Sequence, residues 1–343
     1  MFIPIGAPAE PIRPATSQIA ASDWDILAGF WYAVAIAEDV KDAPVKARLL
    51  DVELLLFRGH NGAIILGLDR CPHRHVRLSA GRMVNGQIEC PFHGMRFGEG
   101  GRCQYVPALG RTARLPDNYR MTTFPAEERY GLVWTCLGDP HRHAIPDLPT
   151  MGDIDPAEIT FGPVIDWPIS APRQIENFID LAHLPFVHAR TLGGDPDRAL
   201  KPGRIEQTED GIILHAEYLE QGADGKDKPG RYRYRVVLPF TIDFQVTYPD
   251  HPGERLVSSD IATPVSAHVS RVFQLHRVDG GRTAGRKLVE MLEVVNSEDR
   301  AMLAELTISD LPLEMNREIH LPVDNVANAY RARLRELGLG RGG

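Results

Sequence analysis

Apolar positions along this chain recur mostly at every second residue, in short runs set between turn signals. Only three stretches change to the three-to-four-residue spacing of a helix. From Trp31 the pattern is β: Ala47–Leu50, Val52–Arg58 and Ala63–Leu68 are short and mostly apolar. His60-Asn61-Gly62 lies between the last two, and Asn-Gly is a tight-turn signal because both residues accept a positive φ. Tyr130–Cys136 is a further strand, closed by Gly138-Asp139-Pro140. Residues 141–165 are rich in Pro, Asp and His and read as a linker. Beyond them, Gln174–His183 has helical spacing, interrupted at Leu184-Pro185 and continuing to His188. Ile212–Leu219, Arg231–Leu238, Thr241–Tyr248 and Val269–Val278 return to strand patterning. Asn296–Thr307 and Val323–Leu337 are helical again, with Ala327, Tyr330, Leu334 and Leu337 on one face of the last. The expected fold class is α+β. An arm over residues 1–29 precedes an all-β domain at 30–140, then the linker at 141–165, then an antiparallel sheet with helices packed against it at 166–343.

Composition changes this picture little. The chain's 343 residues give room for two domains of the usual size, about 100–150 residues each. Hydrophobic content of 43% and charged content of 24% are those of an ordinary globular protein. No apolar run approaches the roughly 20 residues of a membrane span. Met1–Ser22 is Pro- and Ala-rich and lacks the basic start and apolar block of a secretory leader, so it reads as an extended arm. The expectation is a cytoplasmic protein with no membrane partner. A net charge of −8 argues against nucleic acid as a partner. One region inverts that sign. Between Arg70 and Arg102 there are six arginines (70, 74, 77, 82, 96, 102) against Glu89 and Glu99; six minus two is a local excess of +4. This is either a solvated basic face or a docking surface for an acidic electron donor.

That region also carries the clearest chemistry. Cys71-Pro-His73 and Cys90-Pro-Phe-His93 are separated by sixteen residues, each short loop giving one Cys and one His. Zinc fingers pair two Cys in one loop and two His in the other. Mixed loops suit a [2Fe–2S] cluster of Rieske type instead, with Cys71 and Cys90 on one iron and His73 and His93 on the other. Neutral imidazoles in place of two thiolates remove negative charge and raise the cluster's potential. Cys103 and Cys136 remain, and a disulfide between them is not expected in a cytosolic protein. Further along stands Asn177-x-x-Asp180-x-x-His183-x4-His188. Two His from one broken helix, with a carboxylate from elsewhere, make the facial triad of a non-haem Fe(II) oxygen-activating site. Asn296-Ser-Glu298-Asp299 offers two acids for that third place, and spacing does not choose between them.

These segments, with Tyr130-Gly-Leu-Val-Trp134 and Ser297-Glu-Asp299, resemble the α subunit of the Rieske non-haem iron oxygenases over nearly the whole length. The resemblance is greatest to the branch with vanillate and dicamba O-demethylases and methylxanthine N-demethylases. It implies that Asp299, not Glu298, joins His183 and His188 on a mononuclear Fe(II). It implies an NAD(P)H-dependent reductase or ferredoxin as electron donor, and monooxygenation of a small aromatic substrate, most often O- or N-demethylation. It further implies a homotrimer (α3), with Asp180 linking His183 to a Rieske histidine of the neighbouring subunit. Ring cis-dihydroxylation and a bare Rieske electron-transfer protein are the alternatives. Phe92 and Met95 depart from the family, which often has Tyr and Trp there; both changes remove a hydrogen bonder near the cluster. Tyr232, Tyr234, Phe240, Phe244, His268 and His276 are the pocket candidates that composition offers.

Overall fold

A computed structural model of the chain describes residues 12–152, 158–221, 227–277 and 281–341. They fall into two compact units, one holding Ala28–Ile145 and the other Gln18–Leu27 together with the chain from Pro146 on.

The first unit is all β. Its strands are β1 (Tyr32–Ile36), β2 (Val45–Leu49), β3 (Val52–Arg58), β4 (Ile64–Leu68), β5 (Arg82–Val84), β6 (Gln87–Glu89), β7 (Arg96–Phe97), β8 (Cys103–Tyr105), β9 (Thr123–Phe124), β10 (Ala126–Arg129) and β11 (Leu132–Thr135). They form three antiparallel sheets, ordered β1-β11-β10, β2-β3-β4-β9 and β5-β6-β7-β8. The Asn-Gly turn is where the sequence puts it. Gly62 has φ of 80°, and the Asn61 side chain accepts from the Ala63 amide at 3.0 Å. Leu55, Phe57, Leu78, Ile88 and Phe97 build a buried cluster that also contains Cys71 and Cys90.

The second unit is α+β. Its helices are α1 (Ala21–Leu27), α2 (Ala171–Ile179), α3 (Leu184–Val187), α4 (Gly281–Leu303) and α5 (Asn325–Glu336). Its strands are β12 (Thr160–Phe161), β13 (Ile165–Trp167), β14 (Arg204–Thr208), β15 (Gly211–Gln221), β16 (Asp227–Val237), β17 (Thr241–Thr247), β18 (Arg255–Ser266) and β19 (Val269–Arg277). They form one antiparallel sheet, β12-β19-β18-β17-β16-β15-β14, with β13 also paired to β19.

Four differences from the sequence reading have physical causes. Part of the expected arm is α1, which buries Trp24 and Leu27 at helical spacing in a context too Pro-rich to show it; the first eleven residues of that arm lie outside the described residues. The expected linker contributes β12 and β13, two pieces too short to register as patterned runs. Strand β18 is buried on both faces from Val257 to Val265 but carries Ser258-Ser259-Asp260, which hides the apolar signal. Helix α4 begins at Gly281, well before Asn296.

Candidate metal centres

The two Cys–His loops have one design. In the first, which follows β4, the Cys71 amide donates to the Val76 carbonyl at 2.8 Å and the His75 amide to the Cys71 carbonyl at 2.9 Å. In the second, between β6 and β7, Cys90 donates to Met95 at 2.8 Å and Gly94 to Cys90 at 3.0 Å. The fifth residue of each loop is left-handed, His75 with φ of 59° and Gly94 with φ of 67°. Glycine suits the second place twice over, since a Cβ there would stand 2.9 Å from the Pro107 ring.

These loops aim four side chains at one another. Cys71 and Cys90 are buried, unbridged and in hydrogen-bond contact, and burial together with the Cys90 thiol pushes Cys71 up to about 11. His73 and His93 face solvent with their rings edge-to-face, centroids 4.6 Å apart. Two buried thiols backed by two exposed imidazoles fit a [2Fe–2S] cluster, which needs two thiolate and two neutral nitrogen donors. Burial and the charges of His93 and Arg74 hold the His73 imidazole below its ordinary value, which keeps it neutral and able to ligate. Cys103 and Cys136 are free and buried, donating to the Tyr105 and Ala28 carbonyls. The basic surround is narrower than the residue count suggests. Arg82 and Arg96 both bond Glu89, at 2.8 and 2.7 Å, and Arg102 lies 3.4 Å from Asp117, while Arg70, Arg74 and Arg77 are exposed.

In the second unit the helix breaks earlier than the sequence suggests. Helix α2 ends at Asp180, whose backbone is extended, and Pro185 lies in the first turn of α3, a position proline favours. The break is local chemistry: Asp180 Oδ1 accepts from the Ala182 amide at 2.8 Å, an Asx-type turn. Its other oxygen lies 3.0 Å from His183 Nδ1. On the other side, Glu298 Oε2 lies 2.9 Å from His188 Nδ1 and accepts from Thr191 Oγ1 at 2.8 Å. The two Nε2 atoms thus turn toward Asp299, whose Oδ1 is 3.5 Å from that of His183 and 3.1 Å from that of His188. One donor atom from each of His183, His188 and Asp299 falls within 4.8 Å of the others.

The site is poised for a cation. Burial opposes protonation of His183, but hydrogen bonds to Asp180 and Asp299 outweigh it and push it up to about 9. Burial would raise Asp299, yet the two imidazoles hold it below the usual carboxylate range. Two nitrogens and one carboxylate, with a carboxylate behind each imidazole, fit a facial-triad Fe(II) and its supporting shell. Of the two acids that spacing left open, Asp299 faces both Nε2 atoms and Glu298 stands behind one ring. Asn177 is partly buried, with its Nδ2 lacking a protein partner. Tyr232, Tyr234, Phe244 and His276 share the face of the sheet toward Asp180 and α4. His268 does not: it is exposed on the β18–β19 turn and bonded to Asp310 at 2.9 Å. Phe240 is buried in the β16–β17 connection.

Residues 30–125 match the Rieske [2Fe-2S] domain, and residues 169–339 match the vanillate O-demethylase oxygenase C-terminal domain. This chain belongs to the Rieske non-haem iron oxygenases. Methylxanthine N1-demethylase NdmA of Pseudomonas putida is 27% identical over 323 residues, covering 91% of this chain and 90% of that protein. The dicamba O-demethylase oxygenase component of Stenotrophomonas maltophilia is 37% identical over 161 residues, 46% of each chain. The solved structure of Pseudomonas putida NdmA with caffeine matches with a TM-score of 0.78 at 25% identity, covering 92% of both chains. Oxygenase components of this family use a [2Fe–2S] cluster, mononuclear iron and electrons supplied by a reductase. Among the described residues no helix is long and apolar enough to cross a membrane.

Proposed function

We propose that this chain is the terminal oxygenase of a demethylating system acting on a small aromatic or heteroaromatic substrate. The observation that carries the reading is the convergence of His183, His188 and Asp299, each imidazole backed by its own carboxylate, in a chain that also brings together Cys71, Cys90, His73 and His93. Cys71, Cys90, His73 and His93 would hold the cluster, and His183, His188 and Asp299 the mononuclear iron. When bound, the two centres supply stored electrons and a place for O2 to be reduced.

The protein's own residues do the positioning. Asp180 and Glu298 take the Nδ1–H of His183 and His188, so that both Nε2 lone pairs point at one place. The Asp180 side chain is 40% exposed, so its carboxylate is accessible to a second imidazole. This supports an α3 trimer in which a neighbour's Rieske histidine meets Asp180. The exposed Arg74 and Arg77, which follow His73 in the chain, are the surface on which an acidic reductase or ferredoxin would dock, in the cytoplasm. For a substrate R–X–CH3, with X oxygen or nitrogen, the reaction is R–X–CH3 + O2 + 2e⁻ + 2H⁺ → R–XH + HCHO + H2O.

A single turnover tests this. The iron-replete protein is chemically reduced, then given O2 with methoxy- and N-methyl-aromatics, and formaldehyde is assayed beside product mass. Formaldehyde equal to demethylated product is the expected result. Oxygenated product without formaldehyde would move the reaction to ring or side-chain hydroxylation. Cluster reoxidation with no product from any panel member, in protein with two irons per chain rather than three, would overturn the oxygenase reading.

A further inference from the structure

The sheet of the second unit carries a polar row that the reactions above do not use. Ser258 and Asp260 of β18 stand opposite His276 and Gln274 of β19, and alternation puts all four on the face that meets α4. All four are buried in a sheet whose other rows on this face are largely apolar. Some of their hydrogen-bonding capacity is met. Ser258 and Gln274 bond Asp260, and Asn296 of α4 donates to Gln274 Oε1 at 2.6 Å. Asn296 is one turn before Asp299, so the row is tied directly to the helix carrying that ligand. The rest is not met. Asp260 Oδ1 and both ring nitrogens of His276 have no protein partner, although the residues are only 7% and 1% exposed. An unpaired buried polar atom is costly, so a row holding three of them needs a reason.

We propose that this row is the recognition edge for the substrate, and that the substrate presents N–H or O–H donors and carries no carboxylate. The inference rests on the oxygenase reading of the neighbouring site. Tyr234 links the two. Its ring stacks on Phe244 with centroids 4.5 Å apart, a flat apolar wall for an aromatic ring. In register Tyr234 stands in one line with Phe244, Ser258 and His276, and burial, with the carboxylates of Asp260, Asp180 and Glu220 pushing the same way, holds its phenol well above the ordinary value.

The sign of the charge sets the class. On this face of β14–β19 the described residues include two acids, Asp260 and Glu220, and one cation, Lys228. Lys228 is at the strand end, opposite Glu220 and ion-paired with Glu254. Above about pH 7, where Asp260 is ionised, an aromatic carboxylate entering here would set a second negative charge against it in a site shielded from water, a like-charge pair that no cation on this face relieves. A donor would give Asp260 Oδ1 the bond it lacks. His276, which burial keeps neutral, offers one donor and one acceptor to the same edge.

The test uses holoenzyme at about pH 8.5, where Asp260 is ionised, and three matched probes: 4-methoxybenzamide, 4-methoxybenzylamine and 4-methoxybenzoate. Anaerobic calorimetry gives their affinities, and single turnover gives formaldehyde from each. The amide or the amine should bind at least about tenfold tighter than the benzoate, the effect of one satisfied buried bond. Asp260→Asn should shrink that ratio by at least half its logarithm. His276→Asn, which leaves Asp260 intact, should weaken the preferred probe and serves if the first variant does not fold. Benzoate binding tightest, no ranking among the three, or a ratio unmoved in the variants overturns the inference. If benzoate binds best and still yields formaldehyde, the oxygenase reading stands and only this inference falls. If the ranking holds but no formaldehyde forms, the recognition edge stands and the demethylase reading falls.

Discussion

Glu298 and Asp299 are adjacent acids with different environments, and exchanging each for its amide separates their roles. Glu298 is 23% exposed and bonded to His188 Nδ1 at 2.9 Å and Thr191 at 2.8 Å. Asp299 is 7% exposed and faces the Nε2 atoms of both histidines. Glu298→Gln keeps an oxygen that can accept from His188 but loses its charge. A charge-assisted bond thereby becomes a neutral one of about half the strength. Partners of this kind behind metal-binding imidazoles are worth about 10–100-fold in affinity, or roughly 1.4–2.7 kcal/mol. Asp299→Asn removes the one acid grouped with both histidines among the described residues. Its loss should lie beyond that range, with no mononuclear iron surviving gel filtration. The assay is anaerobic Fe(II) titration against a competing chelator, with the visible absorption of the cluster as a control that the first unit is intact. Iron retained by Asp299→Asn and lost by Glu298→Gln would reverse the two roles. Affinity unchanged in both would refute the positioning argument and the ligand assignment together.

Asp180→Asn, reconstituted to full cluster and iron content, should cut single-turnover rate sharply; full activity would remove Asp180 from electron transfer. Arg331 is 3% exposed and bonds Glu176 through two nitrogens at 2.7 Å and Glu318 at 2.6 Å. Arg331→Met leaves Glu176 and Glu318 paired with Arg173, so urea unfolding should show a loss of about 1.5–3 kcal/mol, and a loss under about 0.5 kcal/mol would deny Arg331 its structural role. Asp260 titrates in the opposite sense to a salt-bridged acid, because burial pushes it up to about 7 from an ordinary 3.8. The folded chain holds that proton where the unfolded chain has released it. Stability from this group therefore falls as pH rises from about 4 to about 7, by something on the order of 4 kcal/mol. The melting temperature of Asp260→Asn relative to the parent should climb between about pH 5 and about pH 8, and a flat difference would contradict the burial argument.

The Cys–His loops were legible because their pattern is local: a Cys and a His two or three residues apart, in loops closed by their own backbone bonds, need no information from elsewhere in the chain. His183 and His188 were legible for the same reason. The choice between Glu298 and Asp299 was not, since it depends on which way α4 turns against α2, and neighbouring helical residues differ by about 100° in direction. The polar row on β18 and β19 was hidden more deeply. Ser258 and Asp260 are an ordinary solvent-facing alternation in sequence, and only the register against His276 and Gln274, with Asn296 above, reveals a buried edge. Similarly, Glu176 and Arg331 are 155 positions apart and read separately as surface charges.

Asp180 shows why the readable and unreadable parts meet where they do. A helix through residues 171–188 would carry His183 and His188 five positions apart, about 140° around the axis, and could not bring both rings onto one point. The chain must stop and restart between them. The stop is made by the carboxylate that orients His183: one oxygen takes the Ala182 amide and ends α2, and the other takes the imidazole Nδ1. Backbone geometry and ligand geometry are thus fixed by one side chain. An amide at this position keeps the turn, because its oxygen can still accept from Ala182, but no longer offers a charged acceptor to the ring. Both amide replacements, at Asp180 and at Glu298, thus remove a charged acceptor from behind one of the paired histidines. Only the first lies on a side chain exposed enough to meet a second redox centre, so a fall in turnover at constant iron content should separate Asp180 from Glu298.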